Sequence, residues 1–284
     1  MMPPKVAAIL KGTAPAGSHL KGSPQAGDSL EAAGREYTVE QVLGRGAEGD
    51  LYVVADQRHR YVLKCYRRGF HANSPVLAAL SPLKGKGYIA DILDFGEDFE
   101  LMEYFPQGNA AQAAIKGNTE AILVIASRVA KGLDMMHGAG VIHKDVKPAN
   151  ILIRDTDCWD CVLCDFGIAD LLTDDGSVVT RQVRTPLYAA PEVYEDVVVN
   201  GGLSYCRLTP KADFYSLGMT ILALWKGEDA LLQKEHEPAI GGVSVCTTIP
   251  ADMPSPLATI CRGLLIRDPQ KRWGQQEVLG TIEG

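Results

Sequence analysis

Asp145 and Asn150 stand five residues apart in the run His143-Lys144-Asp145-Val146-Lys147-Pro148-Ala149-Asn150-Ile151-Leu152, with Lys147 between them. A carboxylate so placed can accept a hydroxyl proton, an amide oxygen can hold a divalent metal, and an ammonium can meet a phosphate under transfer. Fifteen residues after Asn150 comes Asp165-Phe166-Gly167, whose acid is suited to a second metal contact. Further on lies Arg184-Thr185-Pro186-Leu187-Tyr188-Ala189-Ala190-Pro191-Glu192. Each piece alone reads as an ordinary polar loop. Their order and spacing together argue against that.

Upstream, Gly44, Gly46 and Gly49 form G-x-G-x-x-G in Val42-Leu43-Gly44-Arg45-Gly46-Ala47-Glu48-Gly49-Asp50-Leu51. Glycines let backbone approach a phosphate closely, but the pattern by itself is weak. It runs into the strand-like Leu51-Tyr52-Val53-Val54, whereas a dinucleotide-binding motif should open a helix. Lys64 follows twenty residues after Gly44, inside the apolar run Tyr61–Tyr66. A cation there either meets an anion or snorkels to water from an edge strand.

These residues need elements to hold them. Tyr37–Leu43, Leu51–Ala55 and Tyr61–Tyr66 read as strands, with two more at Ile89–Phe95 and Phe99–Tyr104. The result is a five-stranded, mostly antiparallel half with hairpin-length connections. After Gly108 the period becomes helical: Thr119–His137 places Ile122, Ile125, Val129 and Leu133 on one stripe behind Asn118 as N-cap. Helices are also expected at Lys211–Trp225, Pro256–Leu265 and Gln275–Ile282. A strand-rich half followed by a helix-rich half predicts an α+β protein of two lobes with a cleft between them. Residues 1–36, with four Pro, five Gly and seven Ala, predict a flexible leader whose Thr13, Ser18, Ser23 and Ser29 are open to modification.

The 284 residues carry a net charge of -7, which argues against nucleic acid as main partner. No apolar run approaches the roughly 18 residues a membrane span needs. Seven cysteines, an odd number in a chain too long to need staples, point to a reducing compartment and a cytoplasmic location. Cys158, Cys161 and Cys164 invite a zinc reading, but on one extended strand they would face opposite sides, so they are read as apolar filler. The histidines at 19, 59, 71, 137 and 236 receive no role, and His143 is read as packing beside Phe166.

From Tyr37 to the C-terminus the chain resembles a protein kinase catalytic domain of the serine/threonine type. The resemblance implies a small antiparallel β N-lobe (about 37–104) and a larger helical C-lobe (about 105–284). It implies ATP and Mg²⁺ as cofactors and a protein substrate with a Ser or Thr acceptor. Gly44, Gly46 and Gly49 match the loop that covers the phosphates, and Lys64 the third-strand lysine. Asp145 matches the catalytic base, Lys147 the γ-phosphate contact, and Asn150 and Asp165 the metal ligands. Met102 matches the gatekeeper, Glu103 to Phe105 the hinge that meets adenine, and Leu51, Val62 and Leu152 the adenine sandwich. Glu192 is expected to pair with Arg272, and Asp213 to brace the catalytic loop.

The sequence departs from the family in four places. The family pairs its third-strand lysine with a Glu on the next helix, yet residues 65–90 contain no Asp or Glu. Lys64 is therefore left with Asp165, Glu48 or nucleotide itself as counter-ion. Lys144 stands where an Arg is usual, so a phosphate clamp lacks the bidentate fork. Val62 occupies a position where the family favours Ala, and Val197–Thr209 is longer than a minimal connection. Two rival readings stay open: a pseudokinase scaffold with weak or no phosphotransfer, and a small-molecule kinase on a related fold.

Overall fold

The protein is described by a computed structural model covering residues 6–9, 24–32, 34–46, 48–181, 185–195, 197–200, 202–232 and 247–284. Thr13, Ser18, Ser23, Arg184, His19 and His236 lie outside the described residues. The chain forms two compact units, one of residues up to Gly85 with Ala90–Tyr104, the other of Lys86–Ile89 with Phe105–Gly284.

The first unit is a sheet with strands β1 (Val6–Ile9), β2 (Ser29–Ala32), β3 (Arg35–Arg45), β4 (Gly49–Ala55) and β5 (Arg60–Tyr66), a short helix α1 (Ser74–Leu80), then β6 (Ile92–Phe95) and β7 (Phe99–Glu103). Their spatial order is β1-β2-β3-β4-β5-β7-β6, antiparallel except where β1 meets β2. Strand alternation divides β4, β5 and β7 between two faces. Tyr52, Val54, Leu63, Cys65, Phe99 and Leu101 pack with Tyr37 and Val39 in one buried core. The opposite face carries Leu51, Val62, Lys64, Glu100 and Met102, because Leu51 and Glu100 both lie across from Lys64 and Met102 lies across from Val62. Leu51, Val62, Lys64 and Met102, four of the residues expected to serve the nucleotide, thus share the face that the core does not use.

One expectation is corrected here. Ser29–Ala32, inside the stretch read as a flexible leader, is a strand, and Leu30 and Ala32 are completely buried in the sheet core. Two apolar side chains at period two suffice once Tyr37 and Val39 on the antiparallel neighbour cover them.

The second unit is helical with small accessory sheets. Helix α2 (Thr119–Gly138) is opened by Asn118, whose side chain accepts from the Ala121 N–H at 3.1 Å. Its buried stripe includes Ile122, Ile125, Val129 and Leu133, as the spacing predicts. Next come β8 (Val141–Ile142), β9 (Ile151–Asp155), β10 (Asp160–Leu163), β11 (Asp170–Leu171) and β12 (Val178–Arg181). A one-turn helix α3 (Glu192–Glu195), the hairpin β13 (Val197–Asn200) and β14 (Leu203–Leu208), and helices α4 (Lys211–Lys226), α5 (Ser255–Leu264) and α6 (Gln275–Glu283) complete it. Every residue of α4 from Ala212 to Leu224 is buried, which makes it the central helix of this unit. Hairpin β13–β14 explains the long connection after Glu192: β14 also pairs with β12, giving a three-stranded sheet β12-β14-β13. Among the described residues no helix is long and apolar enough to cross a membrane.

Candidate active site

In the helical unit the loop between β8 and β9 carries Asp145, Lys147 and Asn150. Its start is held by Asp213 of α4, which is fully buried and accepts from the backbone N–H groups of His143 at 2.8 Å and Lys144 at 2.7 Å. Those bonds fix Lys144 in the left-handed region at φ 69°. Such a conformation costs a non-glycine residue about 1–3 kcal/mol, so it survives only where its surroundings determine it. Asp213 also sits 2.8 Å from His137 Nε2 on α2. Burial pushes the Asp213 carboxyl up, but His137 and the donated N–H groups outweigh it and hold the carboxyl below the usual carboxylate range. The bracing expected of Asp213 is present. His137, given no role from sequence, is instead the partner that lets this acid stay charged.

Asp145 is the hub of the loop. Lys147 Nζ donates to its Oδ2 at 2.6 Å, Asn150 Nδ2 donates to the same oxygen at 2.9 Å, and Thr185 Oγ1 donates to Oδ1 at 2.8 Å. Lys147 Nζ also donates to Thr185 Oγ1 at 2.9 Å, closing a ring of acid, ammonium and hydroxyl. Asn150, nearly buried, gives its amide hydrogens to Asp145 Oδ2 and, at 2.8 Å, to the Asp145 carbonyl. The amide oxygen is thereby left as the acceptor available to a cation.

Asp165 follows β10 at φ 65°, a second left-handed non-glycine position. The Cys164 N–H donates to the Asn150 carbonyl at 2.9 Å, which ties the strand before Asp165 to the loop before β9. His143 behaves as its neighbours predicted: its ring lies edge-on to Phe166 at 5.7 Å, with Nε2 3.0 Å from the Cys164 carbonyl oxygen. Leu152 lies on β9, and Phe105 is buried beneath the Arg154 guanidinium.

Lys144 does not face solvent. Its Nζ donates to Asp170 Oδ2 at 2.5 Å and to Thr180 Oγ1 at 2.9 Å, while the Thr180 hydroxyl donates to Asp170 at 2.5 Å. The Asp170 carboxylate thus meets the cation at the position where the family carries an Arg. The expected pair of Glu192 and Arg272 also forms, through two parallel hydrogen bonds of 2.6 and 2.9 Å. Arg272 donates further to the carbonyls of Ile266, Lys211 and Arg267.

Within the sheet unit, Gly44 lies near the end of β3, Gly46 in the turn and Gly49 at the start of β4, and Glu103 ends β7. Of these three glycines only Gly49 is closed to a side chain: a Cβ there would stand 2.4 Å from the Cys65 carbonyl oxygen. Gly46 donates its N–H to the Gly49 carbonyl at 2.8 Å. Helix α1 holds no acid in its first turn and its sequence, SPVLAAL, holds none at all. Lys64 Nζ lies 3.7 Å from Glu48 Oε2, one of the partners considered from sequence, and 4.8 Å from the centre of the Tyr66 ring.

Sequence reasoning missed Glu100. It is 3% exposed on β7, directly across from Lys64, and accepts from Tyr66 Oη at 2.5 Å. The signal was there: an acid within the apolar run Phe99–Tyr104, on the same alternation as Met102. The cysteine run also differs from expectation, since Cys158 lies in the β9–β10 turn and only Cys161 belongs to the strand.

Residues 37–281 match the family described as protein kinase domain. The chain belongs to the protein kinase family. It is similar to the serine/threonine-protein kinase PknJ of Mycobacterium tuberculosis, 33% identical over 215 residues that cover 68% of this chain and 34% of that protein. It is similar as well to PkaB of Streptomyces coelicolor, 27% identical over 216 residues covering 68% of this chain and 49% of that kinase. With pkn3 of Myxococcus xanthus the identity is 31% over 230 residues, 72% of this chain and 40% of that one. The matched segment thus spans between a third and a half of the length of these relatives. The α+β fold of antiparallel sheet and helical unit is that of a protein kinase.

Proposed function

We propose that this chain is a serine/threonine protein kinase, moving the γ-phosphoryl group of ATP to a Ser or Thr hydroxyl of a protein. The observation that carries the reading is the Asp145–Lys147–Thr185 ring, which joins a proton acceptor and a phosphate-seeking ammonium to the segment expected to seat a peptide acceptor. The names of the relatives agree with it.

In this reading Asp145 orients the acceptor hydroxyl and takes its proton as the oxygen bonds to the γ-phosphorus. The bond from that phosphorus to the β-phosphate bridging oxygen breaks, and ADP leaves. Lys147 sets its charge beside the transferring group. Asn150 and Asp165 offer an amide oxygen and a carboxylate, a donor set suited to a hard cation, and they would hold Mg²⁺, which when bound neutralises phosphate charge. The glycine loop of Gly44, Gly46 and Gly49 covers the phosphates and Lys64 meets them. Leu51, Val62, Met102 and Leu152 take the adenine, with Glu103 and Phe105 offering hinge backbone. The transition state is loose, so most of the protein's contribution is positioning and fixed charge. We place the protein in the cytoplasm, in keeping with its cysteine usage.

One observation favours a second reading, a scaffold with weak or no phosphotransfer: α1 supplies no acid for Lys64. Incorporation of label from radioactive ATP into a generic basic protein, with Asp145→Asn as blank, decides between them. The kinase reading expects the variant to fall by a factor of about 10² or more. Equal incorporation by both proteins supports the scaffold.

A further inference from the structure

We infer that Glu100, a strand residue, is the positioning acid for Lys64 and does the work that the family assigns to a helix Glu; the inference rests on the kinase reading. The sheet register sets Glu100 and Lys64 opposite one another on antiparallel β7 and β5. Directly opposed residues share a face, with Cβ atoms about 4.5–5.5 Å apart. Tyr66, two residues along β5 and on the same face, links the two. Its ring lies 4.8 Å from the Lys64 ammonium, and its hydroxyl donates to Glu100 Oε1 at 2.5 Å. Lysine and glutamate are thus held by opposite ends of one tyrosine.

Burial favours Glu100 over Glu48. A carboxylate only 3% exposed is costly unless a cation and hydrogen bonds compensate it. Glu48, with its side chain 40% exposed and 3.7 Å from Lys64, is a solvent-screened pair of the kind that contributes little. An acid rooted in a sheet also differs mechanically from one on a helix. It cannot swing away without breaking the β5–β7 ladder, so Lys64 stays aligned whatever α1 does.

The test is a double-mutant cycle of Lys64→Met and Glu100→Gln in the full chain, read by nucleotide-free thermal unfolding and by calorimetric MgATP affinity. Coupling is expected in both readouts. Glu100→Gln alone should weaken MgATP roughly tenfold, and it should cost little further once Lys64 is already Met. Steady-state kinetics should show the loss in the KM for ATP and in kcat, with the KM for the protein acceptor unmoved. Glu100→Asp should recover part of it and Glu48→Gln should cost less. Additive effects, or a larger loss from Glu48→Gln, overturn the assignment. Should wild type neither bind MgATP nor exceed the Asp145→Asn blank, the kinase reading fails by itself. The unfolding cycle still decides whether Glu100 holds Lys64.

Discussion

Arg272 and Glu192, eighty residues apart in sequence, meet as a buried fork-to-fork pair, with side chains 0% and 8% exposed. Such a pair balances a large desolvation cost against good geometry, so removing one partner strands a charge in the interior. Glu192→Gln or Arg272→Met should therefore lower stability by about 3–5 kcal/mol, read from urea unfolding midpoints. Arg272→Lys should not restore it, because one ammonium cannot reproduce the two parallel bonds and the bonds to three carbonyls. Midpoints within error of wild type would show that the pair contributes nothing.

Asp213 ties stability to pH. Its carboxyl is held below the usual range in the folded protein, so folding favours the charged form. Its contribution is full above the unfolded carboxylate value, about 3.9, and is lost as pH falls through the lower folded value. Asp213→Asn should flatten the acid limb of the stability curve. At neutral pH it should cost about 1–3 kcal/mol, since an amide NH₂ would face groups that themselves donate. Unfolding by urea at a series of pH values measures both, and an unchanged acid limb would remove Asp213 from the account.

Thiol chemistry should be sharply selective. Burial pushes the thiols of Cys65, Cys161 and Cys261 up to about 12, while Cys158 is exposed in its turn. Only a thiolate reacts readily. Among the described cysteines, brief alkylation of the native protein followed by peptide mapping should label Cys158 and spare those three. Equal labelling without denaturant would contradict the packing.

Gly49→Ala and Gly44→Ala form a matched pair. At Gly49 a methyl group collides with the backbone of β5, and at Gly44 nothing lies within 4 Å. The first should destabilise by about 1–3 kcal/mol and weaken nucleotide binding. The second should stay within about 0.5 kcal/mol. Thermal unfolding of the two variants side by side checks the contrast.

What could be read from sequence was local or fixed by spacing. Helix α2 was legible because Ile122, Ile125, Val129 and Leu133 repeat at its period and Asn118 caps it. The Asp145–Asn150 loop was legible because its side chains bond to each other across five residues. What escaped depends on distant pairing. Strand β2 needs Tyr37 and Val39 to cover it. The face of Glu100 follows from a register with β5, and hairpin β13–β14 makes sense only once β12 joins it. His137 could not be weighed without knowing that Asp213, on another helix, lies beside it.

Thr180 has a guarded hydroxyl: it is 7% exposed, bonded to Asp170 and Lys144, on a strand zipped to β14. Any enzyme seeking to esterify that oxygen must first wait for the strand to peel away. The rate of modification would then report spontaneous opening of the ladder more than the abundance of the modifying enzyme. A phosphate installed there would meet a lysine already neutralised by Asp170, so it would compete for an occupied cation instead of finding a vacant one.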